Sequence, residues 1–385
     1  MRILSNDLKR HTDAMRAELE SAIGRVLARG WYILGPEVEA FERQFARFCQ
    51  VRASVSVANG TDALELALRA LGVGARDQVA TVANAGLYST TAILAAGAEP
   101  LYVDVDPARM TMDPEALAAA LSPRTKAVIV THLYGQMAGL PGLLEVAQRA
   151  GAPLLEDCAQ AHGAALGGRP AGSWGAAGCF SFYPTKNLGA LGDGGAVVTS
   201  DPQLADRLRL LRQYGWTARF QSTLAGGRNS RLDELQAAVL IAKLPHLPGW
   251  NERRRAIARA YSEALRQTPL VLPASLGADY VAHLYVVRTP HRDELKRALA
   301  QLGIGAEIHY PIPDYRQDSI RSSLPPVKDL PVTEKCCREV LTLPCFPELS
   351  DPEVNLVIEA VRRFFENPSY APSPNIHADP GLPDH

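Results

Sequence analysis

The chain has 385 residues with 40 basic and 41 acidic side chains, a balance that argues against a general nucleic-acid-binding surface. Its apolar content of 47% is enough for a large buried core, and its length indicates two domains. Six cysteines without CxxC spacing favour neither a disulfide framework nor a zinc site, and no metal is predicted. Because no apolar run of about 18 residues and no secretory leader pattern occurs, we expect a soluble cytoplasmic protein.

From about residue 53 the sequence alternates short β-branched runs with helical patterns. The predicted elements are strand ASVSVAN, helix DALELALRAL, strand QVATVAN, a helix ending in ILAAGA, strand EPLYVDV, helix DPEALAAAL, strand KAVIVTHLYG, helix GLLEVAQRAG, and strands PLLEDCA, GCFSFY and GAVVTS. Such alternation is typical of βαβ units and predicts a mainly parallel sheet covered by helices on both faces. Ligands of such sheets bind at the carboxyl ends of the strands.

After about residue 245 the pattern becomes that of a smaller α+β unit. PHLPGWNERRRAIARAYSEAL predicts a long helix, HLYVVRT and AEIHYP predict strands, and RDELKRALAQLG predicts a helix between them. We therefore predict a large domain over residues 1–245 and a small C-terminal domain over residues 246–367. Residues 368–385 are rich in Pro, Asp and Gly and are predicted to be a disordered tail.

Three short segments at predicted strand ends stand out by their chemistry. ANGTDAL places Gly60 and Thr61 at a helix start, where free amides and a hydroxyl can hold a phosphate, although an ordinary helix cap has the same pattern. Asp157 ends the apolar strand PLLEDCA, where a carboxylate is costly unless it is paired. Lys186 follows the aromatic and small residues of GCFSFYPT and precedes the glycine-rich GALGDGG, instead of lying in a charged segment.

Together these groups are the ones that pyridoxal phosphate (PLP) chemistry requires. A lysine forms a Schiff base, a carboxylate keeps the ring nitrogen protonated, and a helix N-terminus binds the phosphate. Lys186 would supply the amine, since desolvation lowers the pKa of a lysine and makes it a nucleophile. Asp157 would supply the carboxylate, with a strand-end cap of the next turn as the alternative. Ser181 could add a hydroxyl to the phosphate site and Gln160 could reach the phenolic oxygen, whereas His162 is expected in the core.

The ordered set of segments resembles the DegT/DnrJ/EryC1/StrS family, the PLP-dependent sugar aminotransferases of aminotransferase fold type I. The resemblance spans about residues 30–350 and rests on GWYILGPEVEAFERQFARF, ANGTDALELALRALGVG, PLYVDVDP, KAVIVTHLYGQ, LLEDCAQAHGA, FSFYPTKNLGALGDGGAVVT, NSRLDELQAAVL, HLYVVR, IGAEIHYPIP and TLPCFPEL. It implies an α/β fold with two parts. The large domain would hold a mainly parallel seven-stranded sheet flanked by helices, and a smaller α+β domain would follow.

The resemblance also implies roles for individual residues. Lys186 would be the catalytic Schiff-base lysine and Asp157 the partner of the pyridinium nitrogen. Other cofactor contacts would fall on Gly60, Thr61, Tyr88, Gln160, Ser181 and Asn229. Tyr88 is the aromatic residue expected to stack on the PLP ring, although the spacing around it is not the commonest version in the family.

Two further implications concern the substrate and the partner. His309 and Tyr310 would lie over the sugar, with ordinary strand packing as the alternative. Asn229 matches a family asparagine that reaches the phosphate from the neighbouring subunit. The resemblance therefore implies a homodimer with shared active sites.

The implied reaction is a ping-pong transfer of an amino group from L-glutamate to a nucleotide-linked keto-sugar, through PLP and its pyridoxamine form (PMP). TVANAGLYSTTAILAAGAEP and YVDVD resemble members that aminate C3 of nucleotide-linked 3-keto-6-deoxyhexoses, often dTDP sugars. C4 amination, amination of a keto-cyclitol, and a non-catalytic regulatory homologue that binds PLP or a sugar nucleotide are the alternatives. Lys186 argues against the relatives that have lost this lysine. The missing Rossmann glycine fingerprint argues against a dinucleotide enzyme.

Overall fold

The computed structural model describes residues 2–322, 324 and 327–367, so the tail predicted over 368–385 lies outside the described residues. The strands are β1 Ala53–Val57, β2 Gln78–Thr81, β3 Glu99–Tyr102, β4 Thr125–Thr131, β5 Leu154–Asp157, β6 Ala165–Leu166, β7 Arg169–Pro170, β8 Ala177–Ser181, β9 Gly195–Thr199, β10 Trp216–Ala218, β11 Gln221–Ser222, β12 Tyr285–Arg288 and β13 Val340–Leu343. The α-helices are α1 Leu8–Arg29, α2 Pro36–Phe48, α3 Gly60–Ala70, α4 Tyr88–Ala95, α5 Pro114–Ala120, α6 Leu140–Arg149, α7 Pro202–Leu211, α8 Glu234–Lys243, α9 Leu247–Leu265, α10 Arg292–Gln301, α11 Pro331–Glu339 and α12 Asp351–Phe365.

A seven-stranded sheet forms the centre of the fold, in the order β1-β9-β8-β5-β4-β2-β3. Strand β9 runs antiparallel to both of its neighbours, and the remaining pairs are parallel. Alternate residues of one strand join different cores, because side chains of a strand point to opposite faces. Val128 and Val130 pack toward α2, α6 and α8, whereas Ala127 and Ile129 pack toward α3, α4 and α7. The predicted mainly parallel sheet with helices on both faces is confirmed.

A separate apolar core forms around the antiparallel pair β12–β13. Leu341 and Leu343 of β13 lie in it with Tyr261 of α9, Leu295 of α10 and Val357 of α12. The boundary between residues 245 and 246 stays a prediction. Among the residues described, none of the helices combines the length and apolar character that a membrane span requires.

The prediction of a strand at AEIHYP was wrong. Glu307 forms an isolated bridge with Thr342, with backbone hydrogen bonds of 3.2 and 2.8 Å, but no ladder extends from it. Pro311 and Pro313 follow directly, and proline has no N–H to continue a ladder. The chain therefore leaves the β12–β13 sheet after His309, which still contacts Thr342 of β13, and places the Tyr310 ring against Gly86.

Two consecutive carboxylates end β5 and serve different faces of the sheet. Glu156 is fully buried and accepts hydrogen bonds from the amides of Gly172, Trp174 and Gly175 at 2.8, 2.6 and 2.8 Å. His132 contacts the same carboxylate through Nε2 at 3.0 Å. The amide of Ala138 donates to Nδ1 of that ring, so Nε2 carries the proton.

His132, Glu156 and Cys158 lie close enough together to suggest a metal site. The carboxylate oxygens of Glu156 are already occupied by N–H donors, and both nitrogens of His132 are engaged. Hydrogen bonding therefore accounts for this cluster, and Glu156 acts as a clamp on the loop around residues 172–175.

We expect Glu156→Gln to lower the free energy of unfolding by roughly 3 kcal/mol, because one acceptor oxygen of a buried, charge-assisted network is replaced by a donor. Chemical denaturation measures this change. Glu145→Gln on α6 is the matched control, since Glu145 pairs with Arg149 at the surface and should change stability by less than about 0.5 kcal/mol. Equal stability of the two variants would contradict a clamping role for Glu156.

Candidate active site

Two adjoining cavities lie at the carboxyl ends of β5 and β8, with volumes of about 450 and 440 Å³. Both volumes fall within the range typical of small-molecule sites. The first cavity is lined by the start of α3 and by Asp157, and the second by His283, His309 and residues of β13. Lys186 lines both cavities, together with Tyr88, Gln160 and Tyr183. The lysine therefore stands at the junction of two spaces.

The pairing of β5 with β8 brings the two key groups to one edge of the sheet. The strands are parallel, with Asp157 opposite Cys179. Beyond Ser181 the chain turns, and the amide of Lys186 donates to the carbonyl of Tyr183 at 2.8 Å. This turn directs Lys186 back toward the end of β5.

Lys186 as a residue is half-buried, and within the described part of the chain its amine makes no hydrogen bond. Burial lowers the pKa of Lys186 to about 8, and the charge of Asp157 opposes this shift. An amine with this pKa is mostly protonated near pH 7.4, but roughly one fifth of it is neutral, far more than for an ordinary lysine. It can therefore act as a nucleophile and can also carry a proton.

Asp157 is only 5% exposed, yet its carboxylate is incompletely satisfied. Oδ1 accepts from the amide of Ala159 at 3.1 Å, whereas Oδ2 has only two long contacts of 3.4 Å, from the hydroxyls of Ser89 and Thr131. Burial raises the pKa of Asp157, and the Ala159 amide and the charge of Lys186 oppose this rise. A cationic N–H donor in the cavity would complete its hydrogen bonding and favour the ionised form.

The opposite end of the first cavity is built to receive an anion. Asn59 caps α3 by accepting from the Asp62 amide at 2.8 Å, and the first-turn amides of Gly60 and Thr61 have no intrahelical acceptor. A Cβ atom on Gly60 would lie 2.6 Å from Cβ of Ser181, so glycine is needed where β8 meets the helix. Amides and hydroxyls at a helix N-terminus suit a phosphate.

These observations fit PLP. The cavity offers an unpaired amine at Lys186, an under-bonded carboxylate at Asp157 and a helix N-terminus at Gly60 and Thr61. These groups match the aldehyde, the ring nitrogen and the phosphate of the cofactor, respectively.

The wall between the two cavities is held by side-chain contacts. Gln160 accepts from the Tyr134 amide at 2.5 Å and donates to the Tyr310 hydroxyl at 3.2 Å. The rings of Tyr310 and Tyr88 meet edge to face, with centroids 6.1 Å apart. His309 Nδ1 lies 2.9 Å from the Thr342 hydroxyl, and burial lowers the pKa of His309. The amide of Gln160 is thus engaged by the protein, and its contact with the cofactor stays a prediction.

Two other predicted residues lie away from the cavities. Asn229 is exposed, pairs with Gln213 in an isolated bridge and lines neither cavity of its own chain. His162 is fully buried against Phe180 and Phe182, with ring centroids 5.3 and 5.8 Å away. Burial lowers the pKa of His162 to about 3, so its ring is a neutral part of the core.

Several residues that line the site or hold it were not predicted from the sequence. They are Ser89, Thr131, Ala159, Tyr183 and Asp193. Thr131 ends β4 directly opposite Asp157, so it carried a usable signal. The contact of Ser89 depends on how α4 is docked, which no local pattern indicates.

Residues 13–362 match the DegT/DnrJ/EryC1/StrS aminotransferase family. The chain is 46% identical over 362 residues to the dTDP-3-amino-3,4,6-trideoxy-alpha-D-glucose transaminase of Streptomyces venezuelae, covering 94% of this chain and 95% of the relative. It is 44% identical over 350 residues to the erythromycin biosynthesis sensory transduction protein EryC1 of Saccharopolyspora erythraea, covering 90% and 95%. The crystal structure of S. venezuelae DesV in complex with a ketimine intermediate superposes with a TM-score of 0.92 at 45% identity, covering 95% of this chain and 99% of DesV.

The chain therefore belongs to the DegT/DnrJ/EryC1/StrS aminotransferase family and is a PLP-dependent transaminase. The predicted family, fold type and cofactor are confirmed. The roles of the individual site residues stay predictions.

The lowered pKa of Lys186 gives a test in the apoprotein. Only the neutral amine can capture PLP, so the capture rate should rise about tenfold per pH unit below about pH 8 and level off above it. An unshifted lysine would level off near its ordinary pKa of 10.5. Stopped-flow absorbance at a series of pH values measures the profile.

In Asp157→Asn the midpoint should move to lower pH, because the negative charge that raises the pKa of Lys186 is removed. Asp206→Asn, on an exposed part of α7, is the control and should leave the profile unchanged. A midpoint near pH 10 in the unsubstituted protein would contradict the assignment of Lys186.

Proposed function

We propose that this transaminase moves the amino group of L-glutamate to C3 of a nucleotide-linked 3-keto-6-deoxyhexose, carried on dTDP, in amino-sugar biosynthesis. The observation that carries the proposal is the second cavity of about 440 Å³, which adjoins Lys186 and is lined by His309 and Tyr310. It offers a sugar a place next to the amine while the first cavity holds the cofactor. The choice of dTDP and of C3 is supported by the relative that is named as a dTDP-3-amino-sugar transaminase.

PLP, when bound, serves as an electron sink for the amino carbon of the donor. Asp157 would hold the proton on the ring nitrogen, because its buried carboxylate lacks another strong donor on Oδ2. The amine of Lys186 would take the proton from the amino carbon of the donor as a base and would then give it up as an acid. Its pKa of about 8 suits both roles near neutral pH.

His309 and Tyr310 would orient the sugar. Because Nδ1 of His309 is engaged with Thr342, the free Nε2 is the atom available to a sugar hydroxyl. Burial holds His309 in its neutral form by lowering its pKa. Tyr310 is held by Gln160 and lines the second cavity. The six cysteines are all buried and unpaired, which supports a location in the reducing cytoplasm.

The visible spectrum of the PLP-loaded protein tests this function. The unsubstituted protein should be yellow, and L-glutamate should bleach the band as PMP forms. Lys186→Ala should lose more than about 99% of turnover, because nucleophile and proton carrier are removed together, while its circular dichroism stays unchanged. Lys335→Ala, at an exposed site of α11, is the control and should behave like the unsubstituted protein.

The identity of the amino-group acceptor is tested by mixing the PMP form with a panel of keto-sugars and keto-cyclitols and measuring how fast the yellow PLP band returns. A dTDP-3-keto-6-deoxyhexose should restore the yellow band fastest. A faster reaction with a dTDP-4-keto-sugar or a keto-cyclitol would replace C3 amination with one of those alternatives. A protein that binds PLP but ignores every donor and acceptor would instead favour a regulatory role, which the name of one relative suggests for that protein.

The proposal extends to a homodimer in which Asn229 completes the phosphate site of the partner subunit. Support comes from the position of Asn229, which is exposed and outside both cavities of its own chain. The same segment exposes large apolar side chains, with Phe220 73% and Tyr214 39% accessible. Exposed aromatic residues of this kind are enriched at protein interfaces.

Asn229→Ala should weaken PLP binding about tenfold through the loss of one hydrogen bond to a charged group, and Gln221→Ala on the same segment should not. Mixed dimers (hybrids) that combine one Asn229→Ala chain with one Lys186→Ala chain distinguish a site shared between two subunits from a site formed within one chain. In a shared site, Lys186 of one chain meets Asn229 of the other, so each hybrid regains one intact site. Hybrids with no recovered activity, or a fully active monomer in sedimentation, would contradict the shared site.

A further inference from the structure

Helix α4 begins without a capping residue of its own. Leu87 occupies the N-cap position with φ 73° and ψ −5°, and no side chain of the first turn accepts a hydrogen bond from the backbone there. By contrast, α3, α5, α7 and α12 are capped by their own Asn59, Asp113, Asp201 and Ser350. The start of α4 matters to the site, because Tyr88 lines both cavities and Ser89 contacts Asp157.

A carboxylate from far along the chain takes the place of the missing cap. Asp314 accepts from the Leu87 amide through Oδ1 at 2.9 Å and from the Thr90 hydroxyl through Oδ2 at 2.7 Å. Its side chain is almost fully buried, with 1% of the residue exposed. The amide of Asp314 also donates to the carbonyl of Ala83 at 2.8 Å, which fixes the backbone beside the end of β2. A negative charge at a helix N-terminus is favourable.

The same stretch of chain carries Tyr310, four residues before Asp314. The Tyr310 ring lies on Gly86, where a Cβ atom would be 2.8 Å from Cε1 of the tyrosine. Gly86 has φ +82°, which other residues rarely adopt. Residues 310–314 therefore hold the loop before α4 at two points, through the Tyr310 ring on Gly86 and the Asp314 carboxylate on the helix start.

We propose that Asp314 is a positioning residue for transamination, which fixes the start of α4 against the Tyr310 loop and so sets the opening between the two cavities beside Lys186. Asp314 lines neither cavity and acts through Tyr88 and Ser89. The inference rests on the transaminase activity of the family and not on the identity of the sugar.

The charge of Asp314 is isolated from other titrating groups. Burial raises the pKa of Asp314 to about 7, and its hydrogen bonds with Thr90 and Leu87 oppose the rise. The titratable groups that face it are Tyr102 of β3 and Cys337 of α11, and burial raises the pKa of both far above neutrality. Above about pH 7 the carboxylate accepts both hydrogen bonds, whereas below it one oxygen carries a proton and one acceptor is lost.

Hydrogen–deuterium exchange of the apoprotein over residues 86–92 tests the geometry without the cofactor. Asp314→Asn should raise the exchange rate there about tenfold, because the amide side chain cannot accept both hydrogen bonds. Thr90→Val should give a smaller increase, and Thr90→Ser should match the unsubstituted protein. Asp104→Asn is the matched control, since Asp104 caps α11 through the Val332 and Thr333 amides in the same way, away from the cavities.

The PLP-loaded protein provides the second readout, the rate constant of bleaching by L-glutamate as a function of pH. The unsubstituted protein should show a limb near pH 7 from Asp314. Asp314→Asn should react about tenfold more slowly and lack the limb near pH 7, whereas Asp104→Asn should change neither.

A retained limb near pH 7 in Asp314→Asn, or equal exchange in the Asp314 and Asp104 variants, would overturn the proposal. If Asp314→Asn does not fold, hydrogen–deuterium exchange over residues 86–92 is compared between Thr90→Val and Thr90→Ser. Equal exchange in these two variants would then overturn the proposal. An unsubstituted protein that ignores L-glutamate would count against the proposed donor alone, because the exchange measurement still tests Asp314.

Discussion

The site depends on a buried carboxylate whose hydrogen bonds are left incomplete. Asp157 and Glu156 are neighbours at the end of a central strand, and they face opposite sides of the sheet because side chains alternate. Glu156 has three amide donors and a histidine, so its charge is fully used by the protein. Asp157 has one ordinary hydrogen bond and two long ones. Oδ2 of Asp157 can therefore accept a further hydrogen bond, as the proposed contact with a cationic ring nitrogen requires. Lys186 lies near Asp157 because β8, the strand before it, pairs with β5.

The sequence predicted those parts of the molecule that depend on local pattern. The alternation of strands and helices predicted the sheet, and the rule that ligands bind at strand ends predicted that Asp157, Lys186 and Gly60 lie close together. The strand at AEIHYP failed because a β-rich sequence was followed by prolines that stop a ladder. Ser89 and Asp314 could not be predicted, since their roles depend on which distant segments meet. Asn229 was singled out by resemblance alone, and its position outside the cavities has meaning only for an assembly of two chains.

Several helices share one device, in which a carboxylate from elsewhere replaces a local cap. Glu234 accepts from the amides of Gly35 and Val38 at 2.9 and 2.8 Å at the start of α2, as Asp104 does for α11 and Asp314 for α4. A local cap stabilises a helix whenever it forms, whereas a distant cap contributes only once the two segments have met. The secondary structure around the site is therefore coupled to tertiary contact.

This coupling has a consequence for the order in which the protein can be completed during synthesis. The strands that supply Asp157 and Lys186 leave the ribosome long before residue 314. Until that residue arrives, the first turn of α4 has an open backbone donor at Leu87 and a free hydroxyl at Thr90. A nascent chain thus contains Asp157 and Lys186 before it contains the residues that complete the cavity walls. The smaller core around β12–β13 includes neither of these two residues. Residues 310–314, which lie between α10 and β13, nevertheless pack against the loop before α4 and complete the site in the large domain.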